Sequence, residues 1–420
     1  MLRLSKLRRF QIAPNCLFTA VDFLATGLAA SLPWSTSATA ILVGLFVIAL
    51  VPTINFPSFR NEILTWSNGL PVVVFLLACL GTLWADIPLK ERVSAIEPLY
   101  KLLVIPLLIY HFRRSDRVAL VLKAFLISCV ALLLVSFAII LFPNVSRAPG
   151  MGGYGTPVKD YISQGVLFSV CLYCLFDLSL TLWIDKTRPL AAGAFLLACA
   201  FLGNIIFVLD SRTALVEVAV LGLALIIRRF DFKAQIIFVL IGLVFVGSAL
   251  AISSSLRNNV TAMFREANAT GPESEHTRAG ERLVLWKGSL KSLQSAPVLG
   301  HGTGTISSEF QKQNIGSTNP HNQTFWVGIQ WGLLGITLLW AMWISHLFLF
   351  HRAGAIAWIG FVVVLGNIVG SFFNSHISDF TQGWLYVVGV GIAGGAMMRK
   401  IDGTAVGEAA ALGRTPVLQA

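Results

Sequence analysis

The sequence predicts an all-α, polytopic membrane protein with about twelve transmembrane helices. Of its 420 residues, 56% are hydrophobic and only 12% are charged, and the mean hydropathy is +0.77. Apolar stretches of about twenty residues, long enough to cross roughly 30 Å of hydrocarbon as a helix, recur along the chain between short basic patches. A helix satisfies its own backbone hydrogen bonds in lipid, so this pattern favours a helical bundle and excludes a water-soluble protein.

Twelve apolar stretches are candidate spans, and two of them contain a charge. The first contains Asp22, and the fourth is short and contains Lys101. The twelve stretches centre near residues 24, 46, 76, 105, 130, 172, 199, 219, 242, 336, 364 and 389. The predicted organisation is nine spans in residues 1–252, one large polar loop in residues 253–320, three spans in residues 321–400 and a disordered tail in residues 401–420.

Basic residues orient the bundle, because short cytoplasmic loops are enriched in Lys and Arg. With the N-terminus inside, seventeen basic residues fall in cytoplasmic segments and six in the short outer loops and their flanks. An even number of spans returns the C-terminal tail to the cytoplasm. The basic N-terminus followed by further spans predicts an uncleaved first helix. The loop of residues 253–320 is therefore predicted to lie outside the cell membrane.

Charge and cysteine content narrow the possible partners. The net charge of +11 is compatible with nucleic acid, anionic lipid or an anionic substrate. The outward basic groups include no recognisable nucleic-acid-binding module, so we expect no nucleic-acid partner. All six cysteines lie within predicted spans. Cys171 and Cys174 form a CxxC motif, which we interpret as two small packing residues rather than metal or redox ligands.

The predicted outer loop is the one long polar segment, so function is expected there. Its basic residues are Arg257, Arg265, Arg278, Arg282, Lys287, Lys291 and Lys312. Residues 277–293 have helical periodicity, with Arg282 on one face and an apolar stripe of Trp286, Leu290 and Leu293 that suits the membrane surface. Acidic residues partly balance the charge, so surface ion pairs are the alternative to a binding role for any single arginine.

Two motifs follow in the same loop. Residues 300–304, Gly-His-Gly-Thr-Gly, form a glycine-dense turn that lets backbone approach a ligand closely and carries His301. Residues 317–323 then lead into an apolar helix, with Asn319 predicted as its N-cap and Pro320 as its first residue. His321 would lie in the first turn, where the helix dipole favours a neutral imidazole able to accept a proton. A purely structural histidine is the alternative.

Other polar groups are predicted at the outer surface. Arg212 lies in a tight turn between the seventh and eighth spans, and an ionisable group at the bilayer boundary is a functional candidate. Lys159 ends a Gly-rich outer loop, Gln164 follows a turn further in, and residues 374–379 form the last outer turn. Arginine is well suited to grip phosphate, so this set predicts a lipid-borne anionic group. The outer segments have no carboxylate cluster spaced for a divalent cation, so we expect neither a metal nor another cofactor.

These motifs, in this order, resemble a known family. The matching features are Arg212 in Ser-Arg-Thr-Ala, the helix containing Arg282 and Trp286, Pro297 before the glycine turn, Pro320-His321-Asn322 at the start of a span, and residues 374–384. They look like the O-antigen ligases (WaaL) and their relatives, the Wzy polymerases and the protein O-oligosaccharyltransferases. The similarity covers essentially the whole chain in topology and about residues 205–335 in motifs.

The resemblance implies a GT-C-type glycosyltransferase of the bacterial inner membrane with a periplasmic active site. Such an enzyme moves a completed polysaccharide from undecaprenyl diphosphate to a sugar hydroxyl of lipid A-core without a metal, and a single displacement would invert the anomeric carbon. Carried over to this sequence, His321 orients or deprotonates the acceptor hydroxyl and Arg282 is the second catalytic residue. Diphosphate and glycan binding is assigned to Arg212, Arg265, Lys159, Gln164, Trp286, His301 and Asn322.

Other functions remain open at this stage. A Wzy-type polymerase uses the same donor and takes the hydroxyl from another lipid-linked glycan, and a protein O-glycosyltransferase takes it from Ser or Thr. A flippase for the lipid-linked glycan would need charges through the midplane and symmetry-related broken helices. Asp177, Glu217 and His346 are scattered instead, and no internal repeat is evident. The sequence specifies neither the sugar, nor the oligomeric state, nor whether His301 replaces His321 as the base.

Overall fold

A computed structural model of the protein describes residues 14–142, 155–209, 211–252, 257–258, 261 and 278–411. Regular secondary structure in these residues is entirely helical. The α-helices are α1 (Pro14–Ser31), α2 (Thr36–Leu50), α3 (Phe56–Ile63), α4 (Trp66–Gly81), α5 (Leu89–Ser94), α6 (Val104–Phe112), α7 (Val118–Leu141), α8 (Tyr161–Ile184), α9 (Arg188–Phe207), α10 (Arg212–Arg229), α11 (Phe232–Ile252), α12 (Arg278–Ser295), α13 (Ile306–Gln311), α14 (Gln323–Leu349), α15 (Ala355–Ser371) and α16 (Phe380–Ala411). Two 3-10 helices, Val51–Thr53 and Glu97–Leu103, lie between them. The all-helical class predicted from hydropathy is confirmed.

Among the described residues, the candidate membrane spans are fewer than the twelve predicted. A helix lies over every predicted centre. By length and composition, seven segments of these residues can cross a bilayer, or eight if the bent pair α3 and α4, which meet at 83°, is one span. α1 and α15 are apolar but shorter, and α10 carries charged residues at both ends. The chain is therefore a multi-pass membrane protein with seven to eight candidate spans, and twelve spans stay a prediction.

Most charged groups inside the predicted spans have partners in the bundle. The Asp22 carboxylate lies 2.8 Å from His111, and Arg229 lies 2.5 Å from Asp177. His346 bonds a backbone carbonyl of α4 at 2.8 Å. Buried charges are tolerated when they are paired, so Asp22 does not prevent α1 from being a buried apolar helix.

α14 is broken at Trp331 and Gly332, where the backbone leaves helical geometry (φ −130°, ψ 15° and φ 59°, ψ −153°). A broken helix in lipid needs other partners for its backbone groups. The carbonyls of residues 297–298 accept the N–H groups just after the break at 2.8 and 3.2 Å, and the N–H groups of His301 and Gly302 bond to the carbonyls before it at 2.9 and 2.8 Å. The segment after α12 therefore completes the hydrogen bonding of α14.

The last helix is longer than predicted. The sequence placed the end of the last span at residue 400 and a disordered tail after it, but α16 continues to Ala411. Asp402 in this extension accepts hydrogen bonds from Arg113 at 2.7 and 3.1 Å, which gives the helix a partner beyond the predicted end. Residues 412–420 lie outside the described part of the chain.

Candidate functional site

The predicted outer groups meet at the turn between α15 and α16, residues 372–379, which we call the α15–α16 turn. It is contacted by the segment before α14, by α12 and by the 3-10 helix that contains Lys101. Lys159 contacts the first residues of α16 beside it. The sequence located this turn on the outer side but assigned none of its residues to the site. Its central position is the main finding that sequence reasoning missed.

His321 is fixed to the α15–α16 turn through its ring and its backbone. Its Nδ1 lies 3.0 Å from Asn374 Oδ1, and its N–H donates to Asn319 Oδ1 at 2.9 Å. The same Asn319 oxygen accepts the Ser375 hydroxyl at 2.7 Å. A φ of 49° places His321 in the left-handed region, where the bond from the Asn319 side chain stabilises the turn. The side chain is half-buried.

α14 begins three residues later than the sequence predicted, at Gln323. Asn322 is its N-cap, because the Asn322 Oδ1 accepts the N–H of Phe325 at 3.1 Å. Its Nδ2 donates to the carbonyl of Phe372 at 3.3 Å. The expectation that Asn319 caps the helix and that His321 lies in its first turn is wrong, because left-handed backbone at His321 cannot continue a right-handed helix. His321 lies immediately before the N-cap.

Arg282 reaches the same turn from α12. Its guanidinium carbon lies 5.9 Å from the centroid of the Phe373 ring, and Phe373 precedes the asparagine that holds His321. One turn further along α12, Trp286 packs against Phe325 with ring centroids 6.3 Å apart. Arg282 and His321 therefore contact neighbouring residues of one turn.

The buried face of α12 differs from the predicted stripe. Leu290 is 47% exposed, and Trp286 and Leu293 are half-buried. The buried residues are small or aliphatic: Leu285, Gly288, Ser289 and Ser292. A Cβ on Gly288 would lie 2.4 Å from the Ile315 side chain, so α12 packs closely on the segment before α14. Protein contacts select these buried residues of α12, while the contact predicted between the apolar stripe and the membrane surface stays a prediction.

Lys101 is buried against the backbone of the α15–α16 turn. Its side chain is 3% exposed, and its Nζ donates to the carbonyls of Asp379 at 2.7 Å and Ser378 at 3.3 Å. Gln323 Oε1 accepts the N–H of Ile377 at 2.9 Å on the other side of the turn. Burial raises the pKa of the Asp379 carboxyl to about 7, against the opposing effect of the Lys101 charge. The feature of the sequence that could have indicated this contact is Lys101 itself, an ionisable residue within an apolar stretch.

Lys159 and Gln164 occupy different surroundings. Lys159 Nζ lies 3.2 Å from the Thr381 hydroxyl and 5.6 Å from the centroid of the Phe380 ring. Burial lowers the pKa of the Lys159 amine, and the charge of Asp160 opposes that shift. Gln164 is fully buried, and its amide donates to Ser136 and the Gly155 carbonyl at 3.2 and 3.3 Å, so it ties α8 to α7 and to the loop before α8.

Arg212 is the first residue of α10 and is half-buried. Ser211 caps this helix, because its hydroxyl accepts the N–H of Ala214 at 3.2 Å. Five residues further along, Glu217 is buried beside the α15–α16 turn, so α10 connects Arg212 to that neighbourhood. Arg265 lies outside the described residues.

His301 and the glycine turn contact the protein itself. His301 Nε2 lies 2.9 Å from the Ser292 carbonyl and 3.1 Å from the Ser295 hydroxyl, and Nδ1 lies 3.5 Å from Glu309. Gly302 has a φ of 96°, and a Cβ there would lie 2.5 Å from backbone between α4 and α5. The backbone of this turn does approach another group closely, as predicted. At Gly302 that group is the backbone between α4 and α5.

An apolar cavity of about 220 Å³ lies elsewhere, between α1, α7, α8, α15 and α16. Phe125, Trp358, Cys171 and Cys174 are among its lining residues, which include none of the α15–α16 turn. All six cysteines are free thiols, and the two of the CxxC motif lie in apolar surroundings, as expected for packing residues.

Comparison with known protein families relates part of the chain to one of them. A family model described as O-Antigen ligase, Wzy_C, matches residues 195–340. This segment contains Arg212, Glu217, Arg282 and His321 but ends before the α15–α16 turn. No curated protein matches the chain at a significant level.

Proposed function

We propose, from the premise that this chain belongs to the O-antigen ligase and Wzy family, that it transfers O-antigen polysaccharide from undecaprenyl diphosphate to a sugar hydroxyl of lipid A-core. Family membership implies lipid-linked glycan substrates, and a multi-pass membrane protein can present its site to a lipid. The enzyme would act at the periplasmic face of the bacterial inner membrane. Breaking the bond from the anomeric carbon to the diphosphate supplies the leaving group.

The observation that carries the proposal is the meeting of Arg282 and His321 at neighbouring residues of the α15–α16 turn. Transfer from a diphosphate requires a cation where negative charge develops and a base close to the incoming hydroxyl. Arg282 supplies the cation and His321 the base. Arg212, at the start of the helix that reaches the same turn, and Arg265 would complete the diphosphate cradle.

The hydrogen bond to Asn374 selects the tautomer of the His321 ring. Asn374 Oδ1 can only accept, so in the neutral ring the proton lies on Nδ1 and the lone pair on Nε2. Nε2 takes the proton of the acceptor hydroxyl while that oxygen attacks the anomeric carbon. The bonding electrons leave with the diphosphate, whose charge the guanidinium groups stabilise. Attack from the face opposite the diphosphate inverts the anomeric centre.

The remaining predicted site residues form two groups. Some bond to other parts of the protein, and others are kept as proposed substrate contacts. Asn322 uses both ends of its amide to cap α14 and to hold the α15–α16 turn, and His301 bonds the end of α12. Gln164 joins helices in the interior. These three side chains would hold the site in shape. Trp286 and Lys159, both half-buried near the turn, remain the proposed contacts for glycan and diphosphate.

The test is reconstitution with purified lipid-linked glycan and lipid A-core in EDTA. We expect His321→Ala to lower the transfer rate by about 10²–10⁴-fold, because general-base help is lost. Arg282→Ala should lower it by about 10²-fold or more, because a contact that strengthens as the diphosphate leaves is lost. His351→Ala and Lys291→Ala, both exposed residues away from the turn, are the matched controls and should transfer at the wild-type rate.

Three results would contradict the proposal. Glycan that lengthens on its lipid carrier without appearing on lipid A-core would identify a polymerase. Full activity in both His321→Ala and Arg282→Ala would remove the proposed site. Retention of configuration at the anomeric carbon of the product linkage would refute the single displacement.

A further inference from the structure

Glu217 of α10 and His376 of the α15–α16 turn are buried side by side. Both residues are 0% exposed. A Cβ added to Gly370 of α15 would lie 2.2 Å from His376 Nδ1 and 2.6 Å from Glu217 Oε1, so the two side chains flank the same glycine. Neither carboxyl oxygen of Glu217 and neither ring nitrogen of His376 has a hydrogen-bond partner among the described residues.

This arrangement differs from that of the other buried ionisable residues in the bundle. Asp22 and Asp177 each pair with a basic side chain, and His346 bonds backbone. Leaving buried polar groups without a partner costs stability, so such groups in a native fold call for a functional explanation. Glu217 Oε1 and His376 Nδ1 lie close to the same Cβ position of Gly370, so the two side chains are neighbouring polar groups.

The His376 ring is uncharged in this environment. Burial lowers its pKa to about 3, against the opposing charge of Asp160. A neutral imidazole has one donor and one acceptor nitrogen, and a carboxyl group can complement either of them. Glu217 and His376 are therefore complementary in their hydrogen-bonding groups, and their packing against each other does not depend on opposite charges.

His376 is continuous with the two residues that hold the base. Asn374 bonds the His321 ring, and Ser375 bonds the Asn319 side chain that accepts the His321 N–H. A shift of His376 moves both neighbours, because the three residues are consecutive. Glu217 lies five residues after Arg212 on α10, a rise of about 7.5 Å along one rigid helix.

We propose that Glu217 and His376 are positioning residues whose contact sets the α15–α16 turn, and with it His321, at a fixed distance from Arg212. His321, the proposed base, and Arg212, a proposed diphosphate-binding residue, then keep the spacing that the displacement of diphosphate by the acceptor hydroxyl needs. A test of this inference by enzyme activity rests on the proposed function. A test by chemical labelling of His321 does not.

The activity test compares variants at Glu217 and at two glycines of α15. Glu217→Ala should lower kcat for transfer by about tenfold or more, with the KM for the donor changed less than threefold, since chemistry is misaligned while binding remains. Glu217→Gln keeps the size and the polarity of the side chain and should stay within about threefold of wild type. Gly370→Ala places a methyl group between His376 and Glu217 and should match Glu217→Ala. Gly366→Ala, whose Cβ would meet only Leu221 at 3.8 Å, is the matched control and should behave as wild type.

The second readout is the rate at which diethyl pyrocarbonate modifies His321 in the folded protein in detergent without substrate, followed by mass spectrometry of the peptide that contains His321. We expect Glu217→Ala and Gly370→Ala to change that rate at least threefold, and Glu217→Gln and Gly366→Ala to leave it unchanged. Wild-type labelling of His321 in both Glu217→Ala and Gly370→Ala would overturn the inference, whatever the reaction proves to be. Equal loss of activity in Glu217→Gln and Glu217→Ala would also overturn it. Altered labelling in a protein that fails to transfer glycan to lipid A-core would support the positioning contact and reject the proposed function alone.

Discussion

At the scale of single residues, one carboxyl group in the α15–α16 turn should make stability depend on pH. Burial raises the pKa of Asp379 to about 7 from an ordinary value of 3.8. Between these values the unfolded chain has released this proton while the folded chain keeps it, so the free energy of unfolding falls as pH rises through the window. Asp379→Asn removes the titration. We expect its melting temperature to exceed that of wild type by about 2–4 °C at pH 8 and to match it at pH 4.

Thermal unfolding in detergent, followed by tryptophan fluorescence at the two pH values, measures this difference. Asp86→Asn alters an exposed aspartate and controls for loss of a surface charge. Its change in melting temperature is subtracted from that of Asp379→Asn at each pH. If Asp379→Asn also shifts the melting temperature equally at both values, the Asp379 carboxyl does not titrate in the folded protein as its burial requires.

Residue types predicted some of the side chains that meet at the α15–α16 turn, and contacts over long sequence distances identify the others. Arg282 and His321 could be singled out because arginine suits phosphate and a neutral histidine in the first turn of a helix, where the sequence placed His321, suits proton transfer. Asn374 could not be assigned, because an asparagine in a short turn is common and its role depends on the residue it faces. The same is true of Glu217, because its neighbour His376 lies in the turn between two other helices.

At the scale of elements, the break in α14 depends on one glycine. Gly332 has φ 59° and ψ −153°, a region that side chains disfavour, and a Cβ there would lie 2.5 Å from the backbone of Val298. We expect Gly332→Ala to destabilise the protein by at least about 1–3 kcal/mol from its conformation alone, with the collision added to that. The measurement is the yield of monodisperse protein in detergent and its melting temperature.

Gly203→Ala is the control for this prediction, because Gly203 lies inside α9 with no atom within 4 Å of an added Cβ. That variant should be neutral or slightly stabilised, since alanine favours a helix more than glycine does. A Gly332→Ala protein as stable as Gly203→Ala would mean that α14 tolerates a regular helix here and that residues 297–302 do not complete a break.

Helix positions could be predicted from hydropathy, while their interruptions could not. A helix lies over each predicted centre, because about twenty apolar residues are a strong signal by themselves. The start of α14 was misplaced because Asn319 and Asn322 are equally good caps in sequence, and the left-handed backbone of His321 decides between them. The break at Gly332 has no local signature, because glycine is frequent in membrane helices and the partners of the broken backbone come from another segment.

At the scale of the whole molecule, two groups of polar contacts lie in segments for which the sequence predicts opposite sides of the membrane. Arg114 lies 2.9 Å from Glu62 and Arg113 lies 2.7 Å from Asp402, all in segments predicted to be cytoplasmic. The contacts of the α15–α16 turn join segments predicted to be outside. α11 connects the two groups in sequence, and none of its most apolar window is buried inside the protein. An apolar helix with no protein cover needs lipid around it, so we expect α11 to cross the membrane.

This crossing can be measured with two single cysteines in a background without the native ones. Lys233→Cys, at the exposed start of α11, should react with a membrane-impermeant maleimide only after spheroplasts are lysed. Lys287→Cys, on the exposed face of α12, should react in intact spheroplasts, because one crossing separates the two positions. Reaction of both on the same side would show that α11 does not span. Reaction of Lys233→Cys alone in intact spheroplasts would place Arg282 and His321 in the cytoplasm, where an enzyme that acts on periplasmic lipid-linked glycan could not reach its donor.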